Sequence, residues 1–149
     1  MNTNRHISAP DPSASASSNT RGSAFANTAE LLGRSLLALL FVLSGLGKLG
    51  AYGATVAYMS ATGVPGALLP AVIATEVLGG LAILFGWKTR PAAALLAGFS
   101  LLTAVTFHNK LSDPTQMIMF FKNISITGGF LLLVAHGAGR LSIDQRLAK

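Results

Sequence analysis

The sequence contains no cysteine. That excludes disulfides, thiolate zinc sites, cysteine-held iron–sulfur clusters, covalent c-type haem and thiol catalysis. Charge is also scarce. Only 11% of the 149 residues are Asp, Glu, Lys or Arg, while 51% are hydrophobic. Ordinary soluble domains carry about 25% charged residues. A soluble fold of this length could not cover itself with so few charges, so the excess apolar surface must face lipid. Acidic residues are the rarest charges, five against eleven basic ones, which leaves a net charge of +6. Basic chains can bind nucleic acid, but that needs a patch with groove-reading or stacking side chains. Here Lys and Arg punctuate apolar blocks, a pattern of membrane topology.

Residues 1–28 are rich in Ser, Ala, Asn, Thr and Pro and bury too little apolar area to offset ordering entropy, so a disordered tail is expected there. Four apolar segments follow over residues 29–149, at about 31–49, 66–86, 91–108 and 117–136. Crossing roughly 30 Å of hydrocarbon takes about 20 helical residues. The expected fold is therefore all-α, a four-helix transmembrane bundle. Pro65-Gly66, the tight "GWKTRP" turn and "NKLSDP" separate the segments. The stretch 50–64, with Tyr52 and Tyr58, suits a segment lying at the membrane surface, and Trp87 suits the opposite interface. Arg5, Arg21, Lys88, Arg90, Arg140, Arg146 and Lys149 then share one side, against Lys110 and the border residue Lys48 on the other. The bias predicts both termini in the cytoplasm (N-in/C-in). Small residues at spacings of four, Ala94 with Gly98 and Ser100 with Ala104, and the pairs Gly79-Gly80 and Gly128-Gly129, are expected to open close helix contacts.

Ionisable groups inside a membrane are costly and need a reason. At 1.5 Å per residue from the cytoplasmic end, Arg34 lies at about 5 Å, Glu76 at about 15 Å, Lys122 at about 21 Å, and Lys48 and His108 at about 26 Å. Side chains lean toward their helix N-terminus. Glu76, Lys48 and His108 therefore converge, Lys122 leans toward them, and Asn123 lies on an adjacent face. The expectation is a polar cluster of Glu76, His108, Lys122, Asn123 and Lys48 in the outer half. One reading is a charge network that fixes register, with Glu76 paired to Lys122 and Asn123 donating between helices. The other is a functional site. Arg34, Phe41 and Lys48, spaced by seven, fall on one stripe, and Arg34 is expected to act as an inner-side anchor by snorkelling.

The inventory limits the chemistry. His108 and His136 lie near opposite faces, which rejects bis-histidine haem. Glu76 and His108 give two metal ligands at most, too few for a usual site, so no metal is expected. There is no Ser–His–acid arrangement and no self-contained catalytic constellation or redox centre. "GLGKLG" ends a membrane helix rather than following a strand, so it is a weak phosphate loop. No cofactor is evident, but an apolar cleft with donors and a proton acceptor suits a quinone; the same groups suit a proton relay.

"GRSLLALLFVLSGLGKL" (33–49) and "ATEVLGGLAILFGWKTRPAA" (74–93) resemble the two signatures of the DoxX family of small bacterial membrane proteins. His108, "FKNISITGGFLLL" (121–133) and "GAGRLSIDQRL" (137–147) are similar to its remaining pattern, so the resemblance spans about Leu31–Leu147. The family's first-helix Arg falls on Arg34, its helix ending on Gly45 and Lys48, its acid on Glu76 and its fourth-helix Lys on Lys122. The resemblance implies a four-helix inner-membrane protein and an association with quinone-linked or oxidative-stress redox complexes. It points to an accessory subunit working beside a membrane or soluble redox protein. A small proton-coupled transporter and a non-catalytic scaffold are the alternatives, and the oligomeric state is open.

Overall fold

The computed structural model describes residues 12–149, with side chains described from Ala24 onward. The helices are α1 (Pro12–Gly50), α2 (Tyr52–Ala61), α3 (Leu69–Phe85), α4 (Thr89–Phe107), α5 (Pro114–His136) and α6 (Ile143–Leu147), with a 3-10 turn at Gly66–Leu68 before α3. No strand occurs among the described residues. Among the described residues, four stretches are long and apolar enough to cross a membrane: Ala24–Gly50, Gly66–Phe85, Thr89–Phe107 and Pro114–His136. The last three match the expected segments within a few residues. The first begins earlier than Leu31, because "AFANTAE" (24–30) contains no Gly or Pro to stop a helix propagating from the membrane segment. Of the tail expected to be disordered, residues 12–28 belong to α1; residues 1–11 lie outside the described residues, as do the side chains up to 23. The expected surface segment is the short helix α2.

α1 packs along α3, α3 against α4, and α4 along α5, while α1 meets α5 only briefly. The central core joins Ala38 and Phe41 of α1, Ile83 of α3, Leu96 and Ala97 of α4 and Phe130 of α5. Phe41 is its hub, edge-on to Phe130 at 5.3 Å and to Phe99 at 6.4 Å between ring centroids. Gly80 sets the approach of α3 to α1: a Cβ there would lie 3.1 Å from the carbonyl oxygen of Ala38. Without a hydrophobic effect to join helices in lipid, this backbone proximity supplies dispersion contact. The small residues of α4 that pack are Ala93, Ala97, Ser100 and Ala104, whereas Ala94 and Gly98 face outward. One residue of offset turns a helix by about 100°, so the Ala94–Gly98 spacing selected the wrong face. Likewise Gly129 meets Leu37, and Gly128 faces open space.

One end of the bundle is laced shut. Arg34 is 2% exposed and donates to the carbonyls of Ala138 and, at 2.8 Å, Leu141. It is therefore a buried clamp on the C-terminal segment, not a snorkelling side chain. Buried carbonyls were the missing consideration: a folded-back C-terminus gives the guanidinium acceptors nearer than the interface. Gly86 ends α3 in the left-handed conformation (φ 67°). A Cβ there would fall 2.5 Å from that of Ser142, so only glycine fits this corner. Lys88, also left-handed (φ 45°), gives α4 no side-chain cap. Asp144 supplies one from across the chain, accepting from the backbone N–H groups of Lys88 (2.7 Å) and Thr89 (2.9 Å) and donating its own N–H to Gly86 (2.8 Å). The N-terminal part of α1, the 86–88 turn and the C-terminal segment thus share one end of the bundle.

Burial alone would raise the Asp144 carboxyl, but the bonds from Thr89 and Lys88 and the nearby Arg34 outweigh it and hold the group below its ordinary range. A depressed folded value stabilises the folded form above the unfolded carboxylate range and loses that contribution as pH falls through the folded value. Docking of residues 138–147 is therefore expected to persist at neutral pH and weaken in acid. Limited proteolysis of the C-terminus across pH checks this, and Asp144→Asn should expose the segment already at neutral pH. Equal protection of both proteins at every pH would contradict it.

Candidate functional site

The other end of the bundle is parted. α1 and α5 touch where Leu37 packs on Gly129. Phe41 also meets Phe130, and toward Lys48 and Lys122 both helices line a cavity of about 480 Å³. Its wall is mostly aliphatic and aromatic, with Leu40, Phe41, Val72, Phe99, Phe107 and Ile126 among its residues. α2 covers it: Met59 is buried with Leu69 and Ile73, and Tyr58 stacks on Phe107 at 5.5 Å.

Lys48, Glu76, His108, Lys122 and Asn123 all line this one cavity. Their pairing differs from the expectation. Glu76 bonds Lys48, not Lys122, with both carboxylate oxygens 2.8 Å from the ammonium nitrogen. Lys48 also donates to Ser44 Oγ at 2.7 Å, and Ser44 donates to Glu76 Oε1 at 3.1 Å. The reason is adjacency: α1 lies along α3, while Lys122 stands on α5, across the cavity. Glu76 is 4% exposed while the Lys48 side chain is 26% exposed, so the carboxylate is buried and the ammonium group only partly so. Lys122 is exposed and, among the described residues, donates only to Met119 Sδ of its own helix, at 3.1 Å. Asn123 Nδ2 likewise bonds its own helix, at the Met119 carbonyl, and makes no bond between helices. His108 Nδ1 lies 2.8 Å from Gln116 Oε1, which ties the end of α4 to the start of α5. Asp113 caps α5 through the Thr115 N–H at 2.8 Å.

Ser44 and Gln116 complete this network and were not anticipated. Ser44 was findable, since it stands one turn before Lys48 on the inward stripe of α1. Gln116 was not, because only the fold of the 108–114 loop brings it to His108. No group of three His, Cys, Asp or Glu side chains suited to a metal occurs among the described residues.

Comparison with known proteins agrees with the architecture. The DoxX family model matches residues 29–109, a shorter stretch than the resemblance over 31–147, ending before α5. The inner membrane protein YqjF of Escherichia coli (strain K12) is 50% identical over 119 residues, covering 80% of this chain and 92% of its own. The inner membrane protein YphA of the same organism is 39% identical over 123 residues, covering 78% and 88%. No solved structure matches.

Removing one member of a fully buried ion pair strands the other and costs about 3–5 kcal/mol, less where one partner is part-exposed as Lys48 is, whereas replacing both by groups of similar volume is milder. Lys48→Met is expected to destabilise the bundle by more than Lys48→Met with Glu76→Gln together. Unfolding in mixed micelles of increasing SDS fraction measures this. Additive losses would show that the two side chains do not depend on each other.

Proposed function

The chain belongs to the DoxX family, and from that premise we propose that it is an accessory subunit of a membrane redox system that binds a quinone-type ligand in the Glu76 cavity. The observation that carries this reading is the cavity itself. Its volume lies within the range of roughly 300–1,000 Å³ common for small-molecule sites, and its apolar wall holds a few converging polar groups. Quinones need that combination: a hydrocarbon tail seeks apolar wall, and ring oxygens seek donors. Lys122 and His108 stand in the wall as candidate partners for those oxygens, and the Lys48–Glu76 pair fixes the floor. When bound, a quinone supplies two-electron redox chemistry that the cysteine-free chain lacks; the protein's share is binding, orientation and exclusion of water.

The relatives named as inner membrane proteins support the same membrane for this chain. Within it, the laced end carries Arg34, Lys88, Arg90, Arg140, Arg146 and Lys149. By the positive-inside bias this end faces the cytoplasm, which puts both termini inside and the cavity toward the periplasm.

Two measurements test these readings. Titrating a short-chain benzoquinone into the purified protein should show saturable binding, weakened about tenfold or more in Glu76→Gln by loss of charge-assisted hydrogen bonds around the site. No binding, together with no effect of the substitution on membrane redox activity, would end the proposal. For orientation, the absence of native cysteine allows single-cysteine labelling. Lys110→Cys should react with an impermeant maleimide from the periplasmic side, and Lys88→Cys only after the membrane is opened. The reverse pattern would invert the topology.

A further inference from the structure

Charge inside the cavity does not cancel. Its wall carries two lysines and one glutamate, beside His108 and Tyr58. Lysine has three N–H donors and no acceptor. Lys48 directs its donors to Ser44 Oγ and the two oxygens of Glu76, so its charge and its hydrogen-bonding capacity are both met within the protein. Lys122 has only a thioether, a weak acceptor, and takes part in no ion pair among the described residues. Asp113, the acid at the start of the same helix, is committed to the α5 cap and does not line the cavity. Lys122 is exposed to whatever fills the cavity, eight residues or about 12 Å into α5. An ammonium group at that depth is expensive unless an anion meets it.

We infer that the cavity takes an amphiphile whose head group carries a single negative charge, received by Lys122, with its apolar tail along the aliphatic wall. The inference rests on the reading of this cavity as a ligand site and sharpens it by naming the head-group charge. One anion neutralises the wall, and the Lys48–Glu76 pair is left undisturbed. Glu76 itself disfavours a second negative charge, so a dianionic head group is rejected. Two molecules offer this chemistry: a quinone with an ionised ring hydroxyl, or a single-chain carboxylate.

The full chain in nanodiscs of phosphatidylcholine, which contributes no net charge, distinguishes them. Two matched pairs are titrated at neutral pH: a 2-hydroxy-3-alkyl-1,4-naphthoquinone against its methyl ether, and dodecanoate against dodecanol. In at least one pair the anion is expected to bind about tenfold or more tightly than its neutral partner, the yield of a charge-assisted hydrogen bond. That ratio should fall toward one in Lys122→Met and persist in Lys122→Arg. Lys122 is exposed on its helix, and helical circular dichroism verifies that both variants fold. A ratio near one in the native protein, or a ratio unchanged in Lys122→Met, overturns the inference. Neutral quinone binding with no preference for the anion overturns it while leaving the quinone reading intact. Binding of dodecanoate alone upholds the anion and removes the quinone. No binding of any probe removes both.

Discussion

An ammonium and a carboxylate set among hydrocarbon must find each other, and the contact of Lys48 with Glu76 is where this bundle meets that demand. It needs α1 and α3 at one height and close together. The sequence provides for that closeness: Gly80 lets the backbone of α3 approach the Ala38 carbonyl, and Ser44 adds a hydroxyl that bonds both charges. Without this pair, Glu76 would be an uncompensated anion in the core. The cavity lies against the pair and takes its floor from it. Register, helix spacing and site geometry thus answer to one electrostatic constraint.

The two ends of the molecule resolve their polar groups by opposite means. At the laced end every device turns inward onto backbone: Arg34 on the carbonyls of 138 and 141, Asp144 on the N–H groups that open α4. At the parted end the side chains pair with one another, and Lys122 is left with a sulfur atom. The first arrangement is self-sufficient. The second has capacity remaining, and capacity for hydrogen bonding in an apolar enclosure is what distinguishes a binding site from packing.

Much of this could be read from the residues in advance. Four apolar runs of membrane length, bounded by Pro65-Gly66, "GWKTRP" and "NKLSDP", fixed the number of spans. Depth along each run placed Glu76, Lys48, His108, Lys122 and Asn123 within reach of one cavity. What depth could not supply was lateral order. Whether Glu76 met Lys48 or Lys122 depended on which helices were neighbours, and that is decided by packing of Gly80 and Phe41 rather than by distance along any one helix. Rotational error explains Ala94 and Gly98: spacing alone does not say which of two adjacent stripes faces the bundle. Arg34 was misassigned for a third reason. Its partners are backbone carbonyls about a hundred residues away, and every residue has one, so no sequence signal marks them.

The Leu37–Gly129 contact has a mechanical consequence. It divides α1 and α5 into a bound portion and a free portion, as a rivet divides a pair of tongs. Any splaying of the two helices is then confined to the portions beyond Phe41 and Phe130, where Glu76 holds Lys48 to α3 and Lys122 has no such tie, and the C-terminal clasp behind the joint resists it further. Width at the mouth can therefore fluctuate while the core around Phe41 and Phe130 stays packed, and the bulk of a guest is accommodated by leverage rather than by unfolding.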